Sequence, residues 1–250
     1  MNIYIKTKPV LFAFALMVAL FAARSDVRAQ IIYSDHNNAA VASSDGTVND
    51  AGNWELWSGG TPWVTANTPE SSVVLAFQLP SLGNVSNPFS TATLGMTFFG
   101  KDGTPTANVD LYGLGVRASS AVLGSDYFSG ALDGSAGVSL LENNILTPST
   151  LTVAADSANN VFSTDLAGYL NTAYAGGADA GQYVLLRLSY DQSGVNSDTC
   201  YHIESNPGSG TPNDYPQIDY TLAPVPEPSV MALCGLGGLC MVVVATRRHR

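Results

Sequence analysis

The sequence predicts an all-β body, a two-sheet sandwich carrying one short helix, set between two apolar ends. Three observations predict it. Apolar and polar residues alternate with period two through several short runs. Clusters of Gly, Pro and Asn separate those runs. No alternation of strand-like and helix-like stretches marks a chain of βαβ units. With 24 Gly and 13 Pro in 250 residues and only 12% charged side chains, the chain is neither a coiled coil nor a charge-rich disordered polymer.

The first 29 residues are read as a secretory signal peptide. Lys6 and Lys8 precede an uncharged run over residues 10–23, and Val27-Arg28-Ala29 supplies the small-residue cleavage site, with the cut between Ala29 and Gln30. The competing reading is an uncleaved anchor, which an apolar run this short does not favour, since a bilayer needs about 20 such residues.

The body is predicted to span residues 30–223. Val73, Leu75 and Phe77 alternate with Val74, Ala76 and Gln78, and Ala92, Leu94, Met96 and Phe98 alternate with Thr91, Thr93, Gly95 and Thr97. Each run is expected to be a strand with one buried face. Residues 79–83 and the Asn- and Pro-bearing segment 84–88 separate them, because such residues remove donors and permit turns. Further strands are expected over 109–116, 150–154, 183–190, 200–205 and 218–222. One segment changes period: Leu166, Tyr169, Leu170, Ala173 and Tyr174 recur at spacings of three and four, after Ser163-Thr164-Asp165 and before Gly176-Gly177. That spacing predicts a short amphipathic helix lidding one end of the sandwich.

The tail, residues 224–250, runs Val225-Pro226-Glu227-Pro228, then an uncharged stretch from Ser229 to Thr246, then Arg247-Arg248-His249-Arg250. That stretch is long enough for a transmembrane helix, with the arginines held on the cytoplasmic side. Taken alone, it reads as a plain tail anchor.

Charge excludes one class of partner. Residues 30–223 hold eighteen acidic side chains and three basic ones, Lys101, Arg117 and Arg187, so nucleic acid is not expected to bind. Cys234 and Cys240 lie in the tail, which leaves Cys200 alone in the body and permits no internal disulfide.

Catalytic signatures are sparse. The body holds His36 and His202 but no G-x-S-x-G elbow, and neither an H-E-x-x-H sequence nor a spaced Cys/His set for zinc. Glycoside hydrolysis needs only two carboxylates held several ångströms apart, so a carbohydrate-active enzyme, hydrolase or lyase, stays open as an alternative. The scarcity of basic residues argues against a lyase acting on a uronate. Structural calcium is the one cofactor considered, because loop carboxylates and carbonyls suit a hard cation. Asp191, Asn196, Asp198, Asn213, Asp214 and Asp219 supply such oxygens. For sugar contact the candidates are Trp54, Trp57 and Trp63, with Tyr201 and Tyr215 behind them, since aromatic rings stack on pyranose faces. The competing reading has Trp54 and Trp57 flanking a buried edge strand with Trp63 covering it.

The Val225-Pro226-Glu227-Pro228 motif, the glycine-bearing apolar stretch and the basic tip, in that order, resemble the PEP-CTERM sorting signal. The resemblance covers about a tenth of the chain. It implies recognition by an exosortase, cleavage near Pro226-Glu227-Pro228, and delivery to the cell surface or extracellular matrix. The order of residues 75–82, 92–94, 109–112, 162–170 and 185–188, followed by 201–205 and 216–220, is similar to the DNRLRE-type jelly roll. It departs at Gln78, where that family has Asp, and it lacks the Trp common after the middle strands. This second resemblance implies a jelly-roll-like sandwich and contact with extracellular polysaccharide. The expectation is therefore an exported, non-catalytic surface or matrix protein, with a purely structural or adhesive component as a further alternative.

Overall fold

The computed structural model describes residues 29–35, 40–50, 55–59, 70–102, 107–147, 159–162, 166–193, 200–204 and 216–224. The chain divides at Arg28 and Leu222, and the body between them holds every element named here. Among the described residues no helix is long and apolar enough to cross a membrane. Of the expected signal peptide, residues 1–29, all but Ala29 lie outside the described residues, as do the tail from Val225 onward and the expected strand at 150–154.

Among the described residues the body holds two antiparallel six-stranded sheets and one α-helix. The first sheet contains β1 (Ala29–Tyr33), β4 (Glu55–Gly59), β6 (Phe89–Asp102), β9 (Asn159–Phe162), β11 (Cys200–Glu204) and β12 (Gln217–Leu222). Its order is β1-β12-β6-β11-β4, with β9 also paired to β6. The second contains β2 (Ala40–Ser43), β3 (Val48–Asp50), β5 (Ser71–Gln78), β7 (Val109–Arg117), β8 (Ser139–Leu146) and β10 (Tyr183–Tyr190), in the order β3-β2-β5-β10-β7-β8. The helix, α1, spans Leu166–Tyr174. The expected strands that fall in the described region are all present. Five elements were not anticipated as strands, namely β1, β2, β3, β8 and β9. They are short, or like Ser139–Leu146 carry consecutive polar residues, so their period-two signal is weak.

The main core follows from side-chain alternation. Val73, Leu75 and Phe77 of β5, Val184, Leu186 and Leu188 of β10, Val109 and Leu111 of β7, Leu94 and Met96 of β6, and Ile218 and Tyr220 of β12 form one buried cluster. Each large aliphatic chain removed from water contributes about 1.5–3 kcal/mol. The helix supplies Leu166, Leu170, Ala173 and Tyr174 to the same cluster. It is pinned by Asn171, whose Oδ1 accepts from Phe89 N at 2.9 Å and whose Nδ2 donates to Phe89 O at 2.9 Å. The Tyr174 hydroxyl donates to Gly83 O at 2.9 Å. Past the helix, Gly176 takes φ +66°, a left-handed conformation that glycine adopts without a Cβ penalty, and the chain turns toward β10.

One expectation is corrected. β5 was expected to bury a single face, yet every residue from Ser71 to Phe77 is buried. Its second face, with Val74 and Ala76, joins Ala42 and Leu185 in a separate apolar cluster. The cover is residues 118–138, a strap between β7 and β8 that crosses the outer face of the second sheet and contributes Val122 and Tyr127 to that cluster. Backbone and side-chain bonds tie it down: Ser72 Oγ donates to Phe128 O at 2.7 Å, Gly130 N to Tyr190 O at 3.1 Å, and Tyr127 OH to Glu70 Oε2 at 2.7 Å.

Two ion pairs complete the attachment. On β10, Arg187 lies beside Val74 of β5 and Tyr112 of β7. Its Nη2 meets Asp133 Oδ2 at 2.6 Å, and both side chains are under 5% exposed, at 3% and 4%. Its Nη1 donates to Asp126 O at 3.1 Å, and its guanidinium sits 4.9 Å from the Tyr112 ring centroid and 5.1 Å from that of Phe128. Arg117 holds the strap's Asp126 bidentately, with one contact at 2.8 Å. Two of the body's three basic residues are thus consumed in fastening this segment.

Candidate functional site

Among the described residues, a groove of about 470 Å³ lies between α1 and the paired strands β7 and β8. Its construction starts with a glycine. Gly113 of β7 has no side chain where Tyr169 of α1 descends; a Cβ there would lie 2.3 Å from Tyr169 Cζ. The ring is therefore seated against the strand backbone, and its oxygen accepts from Gly115 N at 2.8 Å. Burial pushes the Tyr169 phenol up to about 12, against the opposing pull of the Gly115 N–H and the nearby Arg117 charge, so the ring stays neutral under physiological conditions.

Around Tyr169 the groove is lined by Val116, Leu140 and Leu141, by the hydroxyl residues Ser139 and Thr172, and by Asp179. Leu140 is 41% exposed, unusual for a leucine on a strand. Gly115, Gly137 and Gly168 complete the wall and leave it low. Asp179 Oδ1 accepts from Gln182 Nε2 at 2.7 Å, which orients the carboxylate at the margin. An aromatic ring and leucines beside hydroxyls and one carboxylate match what a sugar ring presents, apolar C–H faces and a rim of hydroxyls.

An exposed aromatic lies on the outer face of the first sheet. Tyr33 and Ile31 of β1 are 42% and 46% exposed, next to Gln217 and Asp219 of β12. Gln217 Nε2 donates to Asp219 Oδ2 at 3.0 Å.

The residues anticipated from sequence are dispersed. Trp57 lies on β4, paired with His202 of β11; Trp54, Trp63 and Tyr215 lie outside the described residues. Tyr201 is corrected as a sugar contact: it is fully buried, its hydroxyl directed to Ala107 O at 3.4 Å and its ring 6.1 Å from that of Tyr190, so no face is left for stacking. Asp191 follows β10 in the second sheet and accepts from Asn108 Nδ2 at 3.0 Å, whereas Asp219 sits in the first sheet. Asp198 and Asp214 lie outside the described residues, as do Asn196 and Asn213. Among the described residues no three His, Cys, Asp or Glu side chains gather into a set that could hold a metal ion.

The groove residues escaped the sequence reading for two reasons. Tyr169 was legible only as part of the apolar repeat of α1. Leu140 belongs to β8, whose pairing partner β7 is separated from it by the whole strap. The available signal was Leu140-Leu141 following a turn-prone Gly137, together with glycines at Gly113 and Gly115 inside an otherwise good strand, where a glycine marks close approach.

No known family matches the chain, and no curated protein is found to be similar to it.

Proposed function

We propose that this chain is an exported, non-catalytic cell-surface or extracellular-matrix protein that contacts polysaccharide through the groove beneath α1. The observation that carries the proposal is the groove itself, where Tyr169 and Leu140 stand beside Ser139, Thr172 and Asp179. Concave sites of this size with a few convergent polar groups are where small ligands bind. Export rests on the two ends of the sequence, the signal-like residues 1–29 and the PEP-CTERM-like Val225-Pro226-Glu227-Pro228 with its apolar stretch and basic tip. The jelly-roll order and an exosortase as processing partner belong to the same proposal.

A binding role is favoured over hydrolysis because two-carboxylate mechanisms place a pair of acids within about 5–9.5 Å of one another, and among the described residues Asp179 is the one carboxylate that lines the groove. A purely structural or adhesive role is separated from binding by experiment. In native affinity gels cast with soluble polysaccharides, the full chain should be retarded and Tyr169→Ala should run free while keeping its circular dichroism spectrum. Unretarded migration of the wild-type chain on every polysaccharide tried would leave only the structural role. Fractionation of cells expressing the chain, with sequencing of the mature ends, tests export.

A further inference from the structure

Resting on that reading, we propose that the groove selects sugars bearing a free, protonated amino group, so that its ligand is a partly deacetylated hexosamine polymer rather than an acidic polysaccharide. The argument is one of charge. Residues 30–223 carry eighteen carboxylates against three basic side chains. Arg117, whose charge acts on Tyr169, is committed bidentately to Asp126. Arg187 is enclosed against Asp133 under the strap. Among the described residues no basic side chain lines the groove, and Asp179 is the one charged group among them. A uronate or sulfate entering there meets, among the described residues, no cation free of a carboxylate partner and approaches a strongly negative body, whereas an ammonium group finds a carboxylate already oriented by Gln182.

The remaining lining agrees with a hexosamine backbone. Tyr169 and Leu140 offer surface to the C–H face of a pyranose, and Ser139 and Thr172 offer hydroxyl partners to its ring substituents. The low wall at Gly137 and Gly168, where an added Cβ would meet nothing within 4 Å, leaves the groove open along its side, as a polymer requires.

The test titrates the full chain, in mild detergent, with three hexamers: fully deacetylated chitohexaose, N-acetylchitohexaose and hexagalacturonate, in a buffer acidic enough to protonate the amines. The deacetylated hexamer should bind about two- to fivefold more tightly than the acetylated one, the size expected of one partly exposed ion pair, and the advantage should fade with added salt. Asp179→Asn should abolish that advantage, bringing the two hexosamine oligomers to the same affinity. Equal affinity for the two hexosamine oligomers, or an advantage that survives in Asp179→Asn, overturns the inference and leaves the polysaccharide reading standing. Tighter binding of hexagalacturonate overturns it as well. Absence of binding to all three, together with free migration on every polysaccharide gel, overturns the polysaccharide reading itself.

Discussion

Replacing Asp133 with alanine strands a guanidinium where water does not reach. Arg187 is 3% exposed and Asp133 4%, their charged atoms 2.6 Å apart. With Asp133 gone, Arg187 keeps one hydrogen bond to Asp126 O and its two ring contacts, and its Nε has no hydrogen-bond partner among the described residues even in the intact protein. Removing one member of a buried pair costs about 3–5 kcal/mol, because the other charge is left uncompensated. The lower figure applies here, since Arg187 keeps the Asp126 carbonyl and its two ring contacts. At about 2–4 °C per kcal/mol for a body of this size, 3 kcal/mol lowers the melting temperature by roughly 6–12 °C. Differential scanning calorimetry, with urea titration as a second probe, reads the shift directly. The double variant Asp133→Ala/Arg187→Met should recover most of the loss, because an apolar chain of similar volume between Tyr112 and Phe128 has no charge to desolvate. A single variant within about 0.5 kcal/mol of wild type, or a double variant as unstable as the single, would refute the reasoning.

Acid should weaken the same attachment. Burial works to raise the Asp133 carboxyl, but the Ser135 hydrogen bonds and Arg187 outweigh it and hold it below the ordinary value of 3.8; its contribution is therefore full above pH 3.8 and lost as pH falls below it, so proteolysis within residues 118–138 should accelerate there. In alkali, burial pushes Tyr127, Tyr169 and Tyr201 each up to about 12, against 10.0 unfolded; between pH 10 and 12 the unfolded chain releases protons that the folded one keeps, so stability should fall across that interval, and tyrosinate absorbance should rise together with unfolding rather than before it. Gly113→Ala, which drives a Cβ into the Tyr169 ring, should cost about 1–3 kcal/mol and loosen saccharide retention by displacing the ring; unchanged gel mobility and melting would show that the ring is not seated as described. Tyr169→Phe removes the acceptor for Gly115 N–H and should cost about 1 kcal/mol, measured by urea denaturation, because that amide is left without its partner.

Much of the β architecture was legible locally. The alternation in residues 73–78 and 91–98 marks strands because a pleated chain sends successive side chains to opposite faces, and the three- and four-residue spacing from Leu166 to Tyr174 marks a helix whose observed bounds are those same residues. The excess of carboxylates is a property of composition alone. Other features depend on contacts between residues far apart in the chain. Nothing near Val74 or Ala76 announces that the outer face of β5 is covered, because its cover comes from residues 118–138 and is anchored by Arg187, 54 residues beyond its partner Asp133. Likewise Tyr201 reads as one more aromatic in a strand, and only the packing of two sheets encloses it. The groove is made by Tyr169 meeting Gly113, 56 positions earlier. Periodicity reports which way a side chain points relative to its own backbone; which other segment waits on that side is decided by loop closure and burial over the whole fold, and so only the tertiary structure could supply it.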